Sequence, residues 1–407
     1  MVSKPLNFFS FFDKGGVESD RYWYSRILCI GLGTVKVYMR ILYIVPDLYE
    51  RPGGIARYAQ MVCHALANPN CQLQVVVLMD HQKSIHAYTP SLPGISYYAC
   101  NGSRSLLVRK CIETAVNHPP DIILVGHVNF APLGFMLAQF VQARYATFIY
   151  GVDVWHPLPW HRRLGTRHSD KIISISQFTL EHAMRNHNVG QQKKTAVLHN
   201  CLPDKISIAD DCREQGLSLS MLTVSRLVKH KGHEYVLHAM PQILQSFPYL
   251  LYHIVGDGEM AESLKRLAAE LGITHAVRFH GWVSEESLQA HYADASIFVM
   301  PSRGEGFGFV FIEALARGLP VVAGNTDATP EVVIDGQIGL LVDPTSVEAI
   351  ATAIIRLLQD PELRREMGQN GRQYVNQQFG FAHFQYLLLT YIGELVNQQN
   401  FADQMAG

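Results

Sequence analysis

From residue 39 onward, short apolar runs alternate with amphipathic segments. That is the pattern of a parallel sheet covered by helices on both faces. In the first half, the runs Ile41–Val45, Gln74–Leu78, Ile122–Val125, Thr147–Tyr150, Ile172–Ser174 and Thr195–Leu198 predict strands. A helical period over Ile55–Leu66 puts Ile55, Ala59, Val62 and Leu66 on one face, and further helices are expected over Arg104–Val116 and Phe178–Arg185. In the second half, strands are expected at Leu219–Val224, Leu251–Val255, Val277–Phe279, Ile297–Met300 and Val321–Ala323, with helices between them such as Glu259–Leu271. The fold class is therefore α/β, with an expected domain over 39–200, a polar linker over 201–217 and a second domain over 218–380. The 381–407 tail is helical by pattern.

Residues 1–38 follow neither pattern. Asn7–Phe12 is an aromatic cluster too short for a signal peptide. Gly31-Leu32-Gly33 imitates a dinucleotide fingerprint, but Lys36 stands where the third glycine belongs and no helix follows. Met39-Arg40 followed by an apolar run looks like a fresh start. The first 38 residues are expected to be a loosely ordered extension, or to precede the natural start of translation.

The stretch Pro301–Ala323 carries the most chemistry. An apolar run ends at Pro301, a loop with Gly304, Gly306 and Gly308 follows, and an amphipathic segment, Phe309–Arg317, leads to a second apolar run. Glycines at a helix N-terminus let backbone N–H groups face a phosphate. Glu305 and Glu313, eight residues apart, would face the same crevice at the carboxyl end of the sheet. Carboxylates are poor phosphate ligands, so these two are expected to accept hydrogen bonds from hydroxyls. Phosphate beside hydroxyls points to a nucleotide sugar.

Composition narrows the class. With 407 residues the chain has room for two full cores. At 48% hydrophobic and 17% charged it reads as a soluble globular enzyme, and no run approaches the roughly 20 apolar residues of a membrane span. The net charge of −1 gives no support to a nucleic-acid partner. Seven cysteines without a Cys-x-x-Cys pair suit free thiols in a reducing compartment, so a cytoplasmic setting is expected, at most peripheral at the inner face of a membrane. The 19 histidines show no His-x-x-x-His spacing and no Asp-x-Asp follows a strand, so no metal site is expected, nor is a pyridoxal cofactor.

Pro301–Ala323 resembles the Glu-x7-Glu signature of the retaining glycosyltransferases of family 4. Four more elements occur in family order: Ser225-Arg226-Leu227 through Lys231-Gly232, Val255-Gly256-Asp257-Gly258, Phe279-His280-Gly281-Trp282-Val283, and Pro330-Glu331-Val332. The resemblance implies the GT-B architecture, two Rossmann-like domains facing across a cleft, with the last helix crossing back to the first domain. It implies retaining, metal-independent transfer from a nucleotide-diphosphate sugar, the co-substrate in place of any cofactor, to a glycan or lipid-linked saccharide. Alternatives are a GT-B epimerase or phosphorylase, or a non-catalytic sugar-nucleotide-binding subunit.

Candidate residues follow. Arg226 and Lys231, just beyond a strand end, would neutralise the departing diphosphate; the bland alternative is a solvated basic turn with Lys229 and His230. By resemblance, Glu313 holds the ribose hydroxyls and Glu305 the donor sugar. A helix-capping acid would explain Glu313 but not the loop acid. A glycosidase pair would leave Arg226 and Lys231 unexplained. Gly256, Gly258, Val283, Gly306, Phe307 and Gly308 would line the donor pocket. Gly53 and Gly54 would let the backbone approach the sugar–phosphate junction, unless Pro-Gly-Gly is an ordinary turn. His127, at a strand end, would touch sugar hydroxyls; a structural histidine is the alternative. Asp153, after a Tyr150 that replaces the histidine of many relatives, would orient the acceptor or act as a turn residue. Arg162, Arg163, Arg167, His168 and Lys171 form a basic patch suited to an anionic lipid, or a solvated face.

Overall fold

The computed structural model describes residues 39–50, 53–67, 71–83, 92, 94–187, 194–202 and 219–406. The expected extension over 1–38 and nearly all of the expected linker lie outside them. Two parallel sheets organise the chain. The first has strand order β3-β2-β1-β4-β5-β6-β7, with β1 Met39–Val45, β2 Cys71–Val77, β3 Ile95–Ala99, β4 Ile122–Val125, β5 Arg144–Ile149, β6 Lys171–Ser174 and β7 Thr195–Val197. The second runs β10-β9-β8-β11-β12-β13, with β8 Ser220–Val224, β9 Leu251–Val255, β10 Val277–Gly281, β11 Ile297–Met300, β12 Val321–Gly324 and β13 Gly339–Val342.

Helices pack on both faces of each sheet. In the first unit these are α1 Gly54–Leu66, α2 Arg104–Asn117, α3 Ala131–Val141, α4 Val152–Trp155, α5 Trp160–Arg167 and α6 Gln177–His187. In the second they are α7 His233–Ser246, α8 Ala261–Glu270, α9 Glu285–Asp294, α10 Phe309–Ala316, α11 Val347–Gln359 and α12 Pro361–Gln378, followed by the long α13 Phe381–Ala406. Central strands such as Ile122-Ile-Leu-Val125 and Ile297-Phe-Val-Met300 are buried throughout, as parallel strands covered on both faces must be.

The sequence pattern missed β3 and β13. Both are edge strands. Their apolar runs are short: β3 interleaves Ser96 among half-buried residues, and β13 is four residues opening on a glycine.

The two units meet through several polar contacts. α13 crosses back onto the first unit: Lys171 Nζ lies 2.6 Å from Glu394, the Tyr391 hydroxyl donates to the Val197 carbonyl at 3.0 Å, and the Phe384 and Tyr58 rings meet edge to face. Glu331, before β13, accepts the N–H groups of Gln177 and Phe178 at 2.7 Å each, capping α6 of the other unit. Burial pushes the Glu331 carboxyl up, but these donors and His199, 3.1 Å away, outweigh it and hold the group below its ordinary value.

Candidate active site

In each sheet the strand order reverses once, between β1 and β4 and between β8 and β11. Open α/β sheets bind ligands at such reversals, beyond the carboxyl ends of the strands. Gly53 and Gly54 follow β1, and His127 follows β4. Arg226 and Lys231 follow β8, and Glu305 follows β11. Residues far apart in the chain are thus placed at the switch points of the two sheets.

Lys231 donates to Glu305, and both side chains are largely buried, at 14% and 10% exposed. Arg226 is exposed, and among the described residues its guanidinium has no carboxylate partner. Burial lowers the pKa of His230, between these cations in sequence; Lys231 and Arg226 lower it further, against Glu305. The two cations and Glu305 therefore share one neighbourhood.

Asp327 shapes the loop. Its carboxylate accepts the N–H groups of Gly304 at 2.8 Å, Glu305 at 2.7 Å and Thr329 at 2.9 Å. The first two N–H groups of the glycine-rich loop are consumed in this way. Those at residues 306–310, leading into α10 from the left-handed Gly308, take no acceptor among the described residues. They are the orphan donors of a helix start, able to face an anion.

Glu313 lies on the first turns of α10 and is 5% exposed. Its Oε1 is 2.5 Å from Arg57 of α1 in the other unit, and its Oε2 accepts from the Tyr292 hydroxyl at 3.0 Å. Arg57 also approaches Glu285 at 3.8 Å. Both carboxylate oxygens are thus engaged, and hydroxyls of a ligand would compete with Arg57. Sequence reading did not find Arg57, Tyr292 or Asp327. Arg57 looks like any exposed helix residue, and only the juxtaposition of the two units gives it a partner.

The remaining predicted residues are placed as follows. The Phe307 ring is buried against His199 (5.5 Å, stacked) and Phe379, where it joins the units. Gly306 meets the other unit directly: a Cβ there would sit 1.9 Å from the Tyr150 carbonyl oxygen. Gly256, at φ +126, and Gly258 pack backbone to backbone on Ser225 and Leu227, with a Cβ meeting those carbonyl oxygens at 1.9 and 2.5 Å. Their space is filled by protein, and their contribution is to hold the Arg226 loop. Val283 is half-buried against the core, just past β10. Gly53 and Gly54 have open space where a Cβ would stand.

His127 Nδ1 accepts from the Asn129 N–H at 3.1 Å, capping a short 3₁₀ turn, and its ring stacks on Tyr150. Burial, then Arg162, lowers its pKa to about 4. The ring is neutral, and with Nδ1 accepting, the proton sits on Nε2, free to be donated. Asp153 accepts from the N–H groups of Gly151 at 2.7 Å and Tyr150 at 3.1 Å. Burial raises its carboxyl to about 6 against these donors, which favour the ionised form. It fixes the very turn that meets Gly306.

The basic patch is smaller than expected. Lys171 is buried in its ion pair with Glu394, because it opens strand β6 beneath α13. His168 stacks on Phe135 at 5.0 Å. Arg163 and Arg167 stay exposed on α5 beside Trp160, which is 72% exposed, and Leu164. Met136 and Phe140 are likewise exposed on the contacting helix α3.

Residues 52–204 match the Glycosyltransferase Family 4 domain, and residues 214–374 match the glycosyl transferases group 1 domain. The chain is 41% identical over 374 residues, 82% of its length and 93% of the relative's, to a GDP-mannose-dependent alpha-(1-6)-phosphatidylinositol monomannoside mannosyltransferase of Mycolicibacterium smegmatis. A GDP-mannose-dependent monoacylated alpha-(1-6)-phosphatidylinositol monomannoside mannosyltransferase of Corynebacterium glutamicum is 29% identical, covering 84% of this chain and 94% of its own. Among solved structures, Anabaena HepE with UDP and glucose superposes with a TM-score of 0.71 at 20% identity, covering 88% of this chain and all of that one. Sucrose-phosphate synthase from Thermosynechococcus elongatus gives 0.72 at 22% identity, covering 89% and 100%. These two likenesses bear on the fold.

Proposed function

The chain belongs to the group 1 glycosyltransferases, enzymes that use nucleotide-sugar donors, and from that premise we propose that it moves mannose from GDP-mannose to a lipid-linked acceptor, retaining the anomeric configuration and needing no divalent metal. What carries this reading is the convergence of Arg226, Lys231 and Glu305 at the second switch point, opposite His127 and the open backbone of Gly53 and Gly54. The donor follows from the mannosyltransferase relative that matches along most of both chains.

In the proposed reaction the bond from the sugar C1 to the diphosphate oxygen breaks as the acceptor oxygen bonds to C1 on the same face. The acceptor's proton passes to the departing phosphate oxygen. Arg226, Lys231 and the N–H groups entering α10 stabilise the charge that develops on the leaving group, where fixed donors are worth most. His127 Nε2–H donates to a sugar hydroxyl. Binding turns Lys231 from Glu305 towards phosphate and frees Glu305 to accept from the sugar. Metal independence is supported by the use of the nearby acids: Glu305 and Glu313 are paired with Lys231 and Arg57, and Asp327 is tied to backbone N–H groups.

The lipid side of the acceptor is supported by the exposed apolar residues Met136, Phe140, Trp160 and Leu164, set among Arg163 and Arg167. Such a face suits the boundary of an anionic bilayer. Purified protein should transfer labelled mannose from GDP-mannose into a lipid extract, in excess chelator, and the product's anomeric proton should report the α configuration of the donor. Preference for UDP-sugars, transfer only to water-soluble glycans, or a β-linked product would overturn the corresponding part.

A further inference from the structure

Three imidazoles converge at the edge of the second sheet. His253 lies in β9 between Tyr252 and Ile254, whose side chains enter the apolar cluster on one face; alternation sends His253 to the other. His280 is the extra residue of a β-bulge, since Phe279 pairs with Ile254 and Gly281 already pairs with Val255. Bulges re-aim side chains, and this one turns His280 towards His253. His291 comes down from α9. His253 Nδ1 and His280 Nε2 are 2.9 Å apart, the His280 and His291 ring centroids 4.2 Å, and one nitrogen from each ring lies within 4.8 Å of the others.

All three rings are half-buried, so solvent can reach them while the sheet and helix hold them. Among the described residues, their hydrogen bonding amounts to that one His253–His280 contact. Three rings that share one hydrogen bond leave ring nitrogens without a partner. Four-coordinate zinc with nitrogen ligands at about 2.0–2.1 Å places those nitrogens about 3.3 Å apart, within the spread found here. We propose that His253, His280 and His291 bind a divalent transition-metal ion of the zinc class, with water completing the coordination.

Burial, then the neighbouring rings, lower His280 to about 4, and burial first lowers His253 as well. The charged groups acting on them are Arg278, which opposes a cation, and Asp294, one turn beyond His291, which favours it. Imidazole ligands suit zinc, copper, nickel or cobalt and not magnesium or calcium. The site's position sets its role. Gly281, next to His280, accepts the Gly256 N–H at 2.8 Å, and α9 also carries Glu285, which approaches Arg57. A metal here clamps β9, β10 and α9 together as a brace for the neighbouring donor loop, with no part in the chemistry.

Chelator-treated protein titrated with ZnCl2 should bind one equivalent and melt at a higher temperature, while MgCl2 at the same concentration leaves the melting curve unmoved. Cobalt(II) should give the visible bands of a four-coordinate nitrogen–oxygen site, a readout on the wild-type chain that needs no variant. His280→Asn and His291→Gln should each weaken zinc binding at least as much as loss of an outer-shell partner does, about 10–100-fold. His275→Asn, an exposed histidine in the loop before β10, should change nothing. Zinc binding that survives both ligand variants, sulfur-type cobalt bands, or no zinc binding at micromolar concentration would overturn the proposal.

Discussion

Lys231 of the β8 loop donates to Glu305 of the β11 loop, so the cation and the acid that the resemblance assigned to different parts of a ligand are each other's partner. Lys231→Ala is expected to cut turnover about 10²-fold or more, through loss of charge stabilisation on the leaving group. It should also lower stability by about 1–3 kcal/mol, because the largely buried Glu305 loses its donor. Arg226→Ala, with no such partner among the described residues, should show the kinetic loss without the stability loss. Urea melts and initial rates on both variants check this; equal destabilisation would contradict the pairing.

Glu313→Gln should weaken binding of bare nucleoside diphosphate by roughly 1–3 kcal/mol, since a charged acceptor becomes an amide. Glu305→Gln should leave that binding nearly intact and reduce turnover instead. Because Arg57 occupies Glu313 in the free chain, Arg57→Ala combined with Glu313→Gln should be non-additive in stability. Calorimetry and a double-mutant cycle measure both. Equal nucleotide losses for the two glutamates would end the division of labour.

Gly306→Ala should push the two units apart, because its Cβ would stand 1.9 Å from the Tyr150 carbonyl oxygen. Turnover and melting temperature should both fall. Gly54→Ala, with open space at its Cβ, should keep or raise stability, since alanine is the better helix former by about 1 kcal/mol. A Gly306→Ala protein with normal melting and activity would show that this contact is dispensable.

Stability should fall as pH drops from about 6.5 to 4, and His233 should contribute to the slope. Burial, then Lys231, lowers its folded pKa to about 4, against about 6.5 in the unfolded chain. In that window the unfolded state binds the proton first, so the contribution is complete above pH 6.5 and lost towards pH 4, amounting to about 3 kcal/mol. His233→Gln can keep a donor near Ser225, 2.9 Å from the native ring, and should flatten the slope by one proton. Urea titrations at several pH values read this directly; an unchanged slope would place the proton uptake elsewhere.

The sequence alone determined the α/β class, the central strands and the residues at strand ends, because buried parallel strands must be unbroken apolar runs and loops after them must carry the chemistry. Ile122–Val125, Leu251–Val255 and Ile297–Met300 coincide with the pattern for that reason. The edge strands β3 and β13 escaped it, β3 because Ser96 interrupts a half-buried run and β13 because it opens on a glycine and is only four residues long. What only tertiary structure decided was partnership. Arg57 lies 256 residues from Glu313, the Phe307 ring packs at the joint between the units, and Lys171 leaves the basic surface for Glu394. The three histidines at 253, 280 and 291 have no helical spacing at all; a strand pairing, a bulge and a helix crossing bring them together. Periodicity records which face of an element is buried, whereas the identity of the neighbour is set by how two sheets and a returning helix are juxtaposed.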